Sequence, residues 1–513
     1  MDQAFLAEVR ESFPSDDAIT IGAPMRGGEI HPEPLIRMPL GMLNRHGLIA
    51  GATGTGKTRT LQLIAEQLSA AGVPVFVADV KGDLTGLAMP GTGNARIDER
   101  VKATGSTWTA TSFPVEFLSL TGKLGAHVRA TVASFGPLLL ARVMGLNDTQ
   151  ASVLTMVFKY CDDRGLALLD LSDLRTVLKY LSEDGSDELK DYGGMSKQTV
   201  GVLLREMVEL EHQGAGDFFG EPEFDLEDLI QVDRDGRGVI SSLELSDCRD
   251  RPALFSTFLL WMLARLYLEL PEVGDLPKPR LVFFFDEAHL LFDGASKALR
   301  DQVEQVVRLI RSKGVSVFFV TQSPRDLPSD VLAQLGNRVQ HALRAFTPDD
   351  EKAMRAAART FPRTRWYDVE ELLTSVGTGE AVVTVLNRKG NPTPTVACHL
   401  LAPASNMSTM PEDEFQRRLS ASGQVRRYRE TLDRESAREV LERKFQSARD
   451  AAPIGVEDGT SNPGGPATRG KARQAKPAPS SFEKILKTRT ASNMGTQLVR
   501  SAMGVLERYL KRR

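Results

Sequence analysis

Polar and apolar positions along this chain follow two different periods, and the switches between them divide it. Residues 46–79, HGLIAGATGTGKTRTLQLIAEQLSAAGVPVFVAD, hold a short apolar run, a glycine-rich turn, an amphipathic helical stretch and a second apolar run. That order predicts a strand–loop–helix–strand unit, the building block of a parallel sheet. From 114 to 216 apolar residues recur at three- and four-residue spacing, as at Phe135, Leu138, Leu139 and Val143, and again at Leu171, Leu174, Val177, Leu178 and Leu181. An all-helical insertion is expected there. Strand-like runs return at 238–245, 281–287, 316–322, 338–344, 381–386 and 395–400, with a helical pattern at 296–312. The expected fold class is α/β with a mainly parallel sheet. Its core lies in two parts, 46–113 and 217–405, around the helical insertion at 114–216. A mixed lead-in at 1–45, open to a small β-rich unit, precedes it. After it come a charged helical extension at 406–451, a Pro/Gly/Ser/Ala-rich linker at 452–480 and a basic amphipathic helix at 481–513.

Composition narrows the class. With 513 residues, 41% hydrophobic and 26% charged, the chain has ordinary globular usage and room for several domains. This excludes a chain disordered throughout, a collagen-like rod and a small cysteine-stapled scaffold. Cys161, Cys248 and Cys398 match no disulfide or metal spacing, and the start MDQAFLAEVRES lacks the pattern of a signal peptide. The longest apolar stretch, 253–271, is interrupted by Arg265 and Glu269, so it reads as a buried helix rather than a membrane span. A cytoplasmic protein without membrane association is expected. The net charge of −3 conceals an asymmetry, because residues 463–513 carry twelve Lys/Arg against two acidic residues. A basic end on an acidic body raises the question of nucleic acid.

The sharpest chemical signal is Gly51-Ala-Thr-Gly-Thr-Gly-Lys57-Thr58, a complete phosphate-binding loop between an apolar strand and a helix. Glycines let successive backbone N–H groups converge on one point, and the helix that follows adds its positive end. Gly51, Thr53, Gly54, Thr55, Gly56, Lys57, Thr58 and Arg59 are therefore expected to hold ATP, with Lys57 on the β- and γ-phosphates and the Thr58 hydroxyl on Mg²⁺. Such a loop needs an acidic site to complete the metal shell and activate water. The run LVFFF ends in Asp286-Glu287, as a buried strand would to deliver carboxylates at its tip. Asp286 is assigned to Mg²⁺ and Glu287 to the base that orients water. Gln322, closing SVFFVTQ, is positioned to sense the γ-phosphate or that water, or is a plain strand-end amide. Arg308 and Arg311 end the helical stretch before it. Either is a finger for a neighbour's nucleotide, or a solvated cation favoured by the helix dipole.

Other motifs carry less. Asp286-Glu287-Ala288-His289 spells the box of one helicase superfamily, but its companion motifs do not stand out, and His289 reads equally as a packing residue. Residues 233–244 resemble a calcium loop, except that Arg237 falls where a ligand oxygen belongs and a strand follows, so a turn is expected. Cys398 and His399 are adjacent in a strand and point to opposite faces, so they cannot chelate one metal.

Taken together, RHGLIAGATGTGKT, VFVADVKGDLTGLA, PALFSTFLLWML, LPKPRLVFFFDEAHLLF and SKGVSVFFVTQSPRDLP resemble the HerA/FtsK class of P-loop motor ATPases, and within it the bacterial HerA-like helicases. The resemblance covers most of residues 35–400. It implies a RecA-like core, a homo-hexameric ring and ATP-driven movement of double-stranded DNA, with a nuclease or other DNA-processing protein as partner. It also implies that Lys57, Thr58, Asp286, Glu287 and Gln322 are the catalytic set, with Arg311 at the finger position. Asp79, Lys81 and Asp83 match a family loop to which no role is assigned. Two other readings stay open: a motor for a protein client or secretion channel, and a nucleotide-gated binding module with slow hydrolysis.

Overall fold

The computed structural model describes residues 2–450 apart from 14, 15, 293–296, 431 and 433. The expected linker at 452–480 and basic helix at 481–513 lie outside the described residues. Among those described, one sheet contains thirteen strands: β1 (Ala18–Arg26), β2 (Glu29–Ile30), β3 (Ile36–Pro39), β4 (Gly47–Ala50), β5 (Val75–Asp79), β6 (Val115–Ser119), β7 (Ala126–His127), β8 (Ile240–Glu244), β9 (Leu281–Phe285), β10 (Val315–Thr321), β11 (Asn337–Gln340), β12 (Glu380–Thr384) and β13 (Val396–Leu400). Their order is β2-β1-β13-β12-β11-β4-β10-β9-β5-β8-β6-β7, with β3 on β1. From β11 to β7 every pairing is parallel. From β12 to β2 the sheet is antiparallel. The strand that opens into the phosphate loop, β4, thus lies between β11 and β10, and β10 separates it from β9.

The central strands β4, β5, β9 and β10 are buried along their whole length and mainly apolar because both of their faces are covered. In β9, Val282 and Phe284 join the core that also holds Leu61 and Ile64 of helix α2 (Lys57–Ala70). Phe283 and Phe285 turn the other way and contact Phe76, whose ring stacks on Phe258 of the buried helix Pro252–Glu269. Gly47 is needed at the base of β4, since a Cβ there would come within 2.1 Å of the Phe318 ring.

Helix α2 is also tied down by polar groups. Buried Glu66 accepts the Ala404 and Ser405 N–H groups at 2.7 and 2.9 Å, and Gln67 exchanges two hydrogen bonds with the Thr20 backbone on β1. Buried partners of this kind place the helix more sharply than apolar contact alone.

The segment read as wholly helical departs from that expectation at its start. Residues 115–119 form β6, paired in parallel with β8, and β7 follows. VEFLS has only three apolar residues and sits directly after Pro114, so its pattern is that of a loop; pairing with β8 and burial of Phe117 and Leu118 override it. Helices then take over at Val132–Val143, Asp148–Arg164, Leu171–Ser182 and Lys197–Leu210. The lead-in comprises helix α1 (Asp2–Ser12) as well as β1–β3. Helices Glu412–Ala421 and Gly423–Arg429 return to the sheet edge, where Phe415 packs on Phe117 with ring centroids 4.8 Å apart. A second compact unit begins at Arg438, and its described part lies within the helix Ala437–Asp450, from its second residue onward. Among the described residues no helix is long and apolar enough to cross a membrane.

His46, immediately before β4, pins three elements. Its Nδ1 accepts the Val317 N–H at 3.0 Å, so Nε2 carries the hydrogen and donates to Val307 O at 2.8 Å. Burial, with a smaller push from Arg311, lowers its pKa to about 4 and keeps it neutral. The unfolded chain takes up that proton near pH 6.5, so stability present above 6.5 is lost as pH falls toward 4, by up to about 3 kcal/mol. Urea unfolding midpoints at pH 7 and pH 5 should show this loss, and His46→Gln should flatten that part of the curve.

Candidate nucleotide site at the strand ends

Residues 51–56 leave β4 and wind into α2, whose N-cap Gly56 has φ 116° and whose first turn has no side-chain cap. The N–H groups at that end are therefore open to an anion. The loop is held from below. Gly51 N–H donates to Thr321 O on β10 at 3.2 Å, and Ala52 N–H to Ala342 O after β11 at 2.8 Å. A Cβ on Gly51 would lie 2.5 Å from the His341 Cβ, so only glycine lets the loop rest on that side chain. Lys57 Nζ folds back onto the loop and donates to Gly51 O at 2.7 Å and Ala52 O at 3.2 Å. Burial lowers its pKa, opposed by the charges of Glu287 and Asp286.

The acidic pair stands two strands away. Asp286 and Glu287 follow β9 directly, and both are buried. Burial first, and the neighbouring Glu287 second, raise the Asp286 pKa to about 7. Glu287 takes the left-handed conformation at φ 48° and ψ 48°, rare for a side-chain-bearing residue. Burial would raise its pKa, but hydrogen bonding and charge pairing with Lys81 outweigh this and bring it below the ordinary value. Gln322 Nε2 lies 3.5 Å from Glu287 Oε2, and His289 Nδ1 3.4 Å from the same oxygen.

Lys57, Asp286, Glu287 and Gln322 thus converge at the carboxyl ends of β4, β9 and β10. Thr58 sits beside Lys57 in the first turn of α2. Arg59 in the same turn turns aside to Gln62 Oε1 at 2.9 Å. Arg311 is not in this group. It precedes β10, whose seven residues set it about 23 Å from Gln322, beyond the opposite, amino-terminal end of that strand. The turn at 233–237 is closed by its own arginine, as Arg237 Nε donates to Asp233 Oδ2 at 3.0 Å.

Sequence reasoning assigned no role to Lys81 and passed over His341 and Arg100. Lys81 pairs with Glu287 Oε1 from the loop after β5. His341 is buried under the phosphate loop with Nε2 2.8 Å from Thr60 Oγ1, and burial together with the Lys57 charge lowers its pKa to about 4. Arg100 donates to Gly379 O and Leu400 O, beside the Gly379 N–H that donates to Thr55 O at 3.1 Å.

Asp286 Oδ2 is buried without a hydrogen-bond partner. A buried acceptor with no donor beside a second carboxylate is a fit for a cation, and hard oxygen donors suit Mg²⁺.

The sequence profile of the helicase HerA-like C-terminal family matches residues 26–513. The chain belongs to that family. A DNA double-strand break repair helicase HerA of Sulfurisphaera tokodaii is 25% identical over 351 residues, 68% of this chain and 64% of that protein. This HerA-like chain therefore spans just under two thirds of that relative. A probable helicase of Methanocaldococcus jannaschii is 31% identical over 119 residues, 22% of this chain and 21% of that protein. Among solved structures, the plasmid coupling protein TrwB bound to a non-hydrolysable ATP analogue superposes with a TM-score of 0.51 at 15% identity, covering 79% of this chain and 94% of that one. The shared fold is the RecA-like P-loop ATPase core.

If Asp286 is kept for a cation at the expense of stability, Asp286→Asn should raise the metal-free stability at pH 8 by about 1–2 kcal/mol, seen as a higher unfolding midpoint. The same change should abolish further stabilisation by Mg²⁺ with nucleotide. Thermal melts with and without Mg²⁺ check both.

Proposed function

We propose that this chain is an ATP-hydrolysing, Mg²⁺-dependent motor that moves double-stranded DNA, working as a ring of identical copies. What supports the reading is the convergence of Lys57, Asp286, Glu287 and Gln322 at adjoining strand ends in a chain of the HerA-like family.

Lys57 exchanges the Gly51 and Ala52 carbonyls for the β- and γ-phosphates, while the open N–H groups of α2 and the loop bind the phosphate chain. Thr58 and Asp286 are the residues that would hold Mg²⁺. When bound, the ion neutralises charge developing on the transferred phosphoryl group. Glu287 orients the attacking water, and Gln322 hydrogen-bonds that water or the γ-phosphate. Arg311, remote from its own site, supplies a finger to the adjoining copy. A hexamer and a DNA-processing partner such as a nuclease belong to the same reading, in the cytoplasm.

Steady-state ATP hydrolysis at low salt, with and without duplex DNA, tests it. Duplex DNA should stimulate turnover by about tenfold or more, and Lys57→Ala should remove both basal and stimulated rates. Lys57-dependent hydrolysis indifferent to DNA would leave an ATPase and point to a protein client. Arg311→Ala should lose hydrolysis while still binding ATP, and mixing it with Lys57→Ala subunits should restore part of the rate. No recovery on mixing would remove Arg311 from the neighbour's site.

A further inference from the structure

Gln322 is exposed, and the contact of its amide with Glu287 Oε2 is long, at 3.5 Å. A contact of that length holds an amide weakly, so the backbone that carries Gln322 decides where it stands.

One oxygen of Asp326 brackets that backbone. Its Oδ2 accepts the Thr321 hydroxyl at 2.6 Å and the Ser323 N–H at 2.9 Å, from the residues immediately before and after Gln322. The turn is closed in the other direction as well. Ser323 Oγ accepts the Arg325 N–H at 3.3 Å, and Ser323 O accepts the Asp326 N–H at 3.1 Å. Thr321 has a second partner. It is the buried last residue of β10, and its carbonyl accepts the Gly51 N–H at the start of the phosphate loop. Loop and amide are therefore fixed to the same residue, the loop through its carbonyl and the amide through its hydroxyl. The charge of Asp326 also reaches Lys57, where it favours the ammonium. A carboxylate that caps a short helix ordinarily only closes a turn. Here the closed turn contains Gln322, and the hydroxyl it holds belongs to the strand that supports the loop.

We propose that Asp326 is a positioning residue for hydrolysis: by holding Thr321 and Ser323 with one oxygen, it sets the Gln322 amide in register with the phosphate loop. This rests on the reading that Gln322 serves the hydrolytic step. Asp326 acts through Gln322, whose partner is the γ-phosphate or the attacking water, so its loss is felt in kcat. Binding of the phosphate chain depends on Lys57 and the loop N–H groups, which do not need the Asp326 hydrogen bonds.

The test is steady-state ATPase of the full chain as Asp326→Ala, Asp326→Asn, Thr321→Val and Gln322→Ala, and as Gln322→Ala combined with Asp326→Ala. Titration with a fluorescent ATP analogue checks that each variant is folded and binds. Asp326→Ala should lower kcat by roughly ten- to thirtyfold and leave the KM for ATP within about twofold. Asp326→Asn keeps an oxygen acceptor without the charge and should stay within about threefold of the unmodified kcat. Thr321→Val, which removes one of the two hydrogen bonds and preserves the shape of a buried residue, should fall between them, and it carries the test if Asp326→Ala does not fold. In the Gln322→Ala background, Asp326→Ala should cost less than about twofold more, because both changes remove the same placement. Losses that multiply in the double variant, or a rise in KM with kcat unchanged, would overturn the proposal. Asp326→Asn losing as much as Asp326→Ala would also overturn it and make the charge on Lys57 the working feature. Gln322→Ala at the unmodified rate would instead refute the reading of Gln322, and the proposal with it.

Discussion

Two carboxylates side by side at the end of an apolar strand cannot both stay ionised away from water unless cations stand next to them. Asp286 and Glu287 are in that position, and the neighbourhood is arranged around it. Lys81 satisfies Glu287 directly, Lys57 lies close enough to feel both charges, and Asp286 keeps one oxygen without any donor. The unequal sharing of the cations separates the two acids. Glu287 is held as a carboxylate, while Asp286 sits near the point where it gains or loses its proton in neutral solution. That separation suits two identical functional groups to different work, as the proposed roles toward a cation and toward water require.

The phosphate loop owes its shape to long-range contacts as much as to its glycines. Its floor is His341 and the ends of β10 and β11, its wall includes the Gly379 N–H, and the helix behind it is clamped by Glu66 to residues 404 and 405. Residues hundreds of positions apart therefore fold as one support. Lys57 resting on the loop's own carbonyls is part of the same economy: the ammonium keeps hydrogen bonds while buried and can trade them for phosphate oxygens.

How far this was legible depended on whether the signal was local. The loop, its lysine and the strand LVFFF with its acidic tip are contiguous patterns, and the sheet places them as their spacing implied. β6 was illegible because a short strand at VEFLS is defined by its partner β8, not by its own period. The pairing of Lys81 with Glu287 was equally hidden, since it depends on β5 lying next to β9, a fact of strand order rather than of spacing.

β10 is preceded by the turn Arg311–Lys313 and Gly314 and followed at once by Gln322, and its seven buried residues pair in parallel with β9 over 315–319 and with β4 over 318–321. A strand paired on one side or the other at every residue does not stretch or compress appreciably along its length. If Arg311 serves the adjoining copy of a ring as proposed, that strand would act as a stiff pushrod between the two reaction centres. A small displacement at Gln322 on loss of phosphate would then arrive at the neighbouring centre with its size unchanged. Order of firing around such a ring would be a property of the sheet itself, needing no separate moving part.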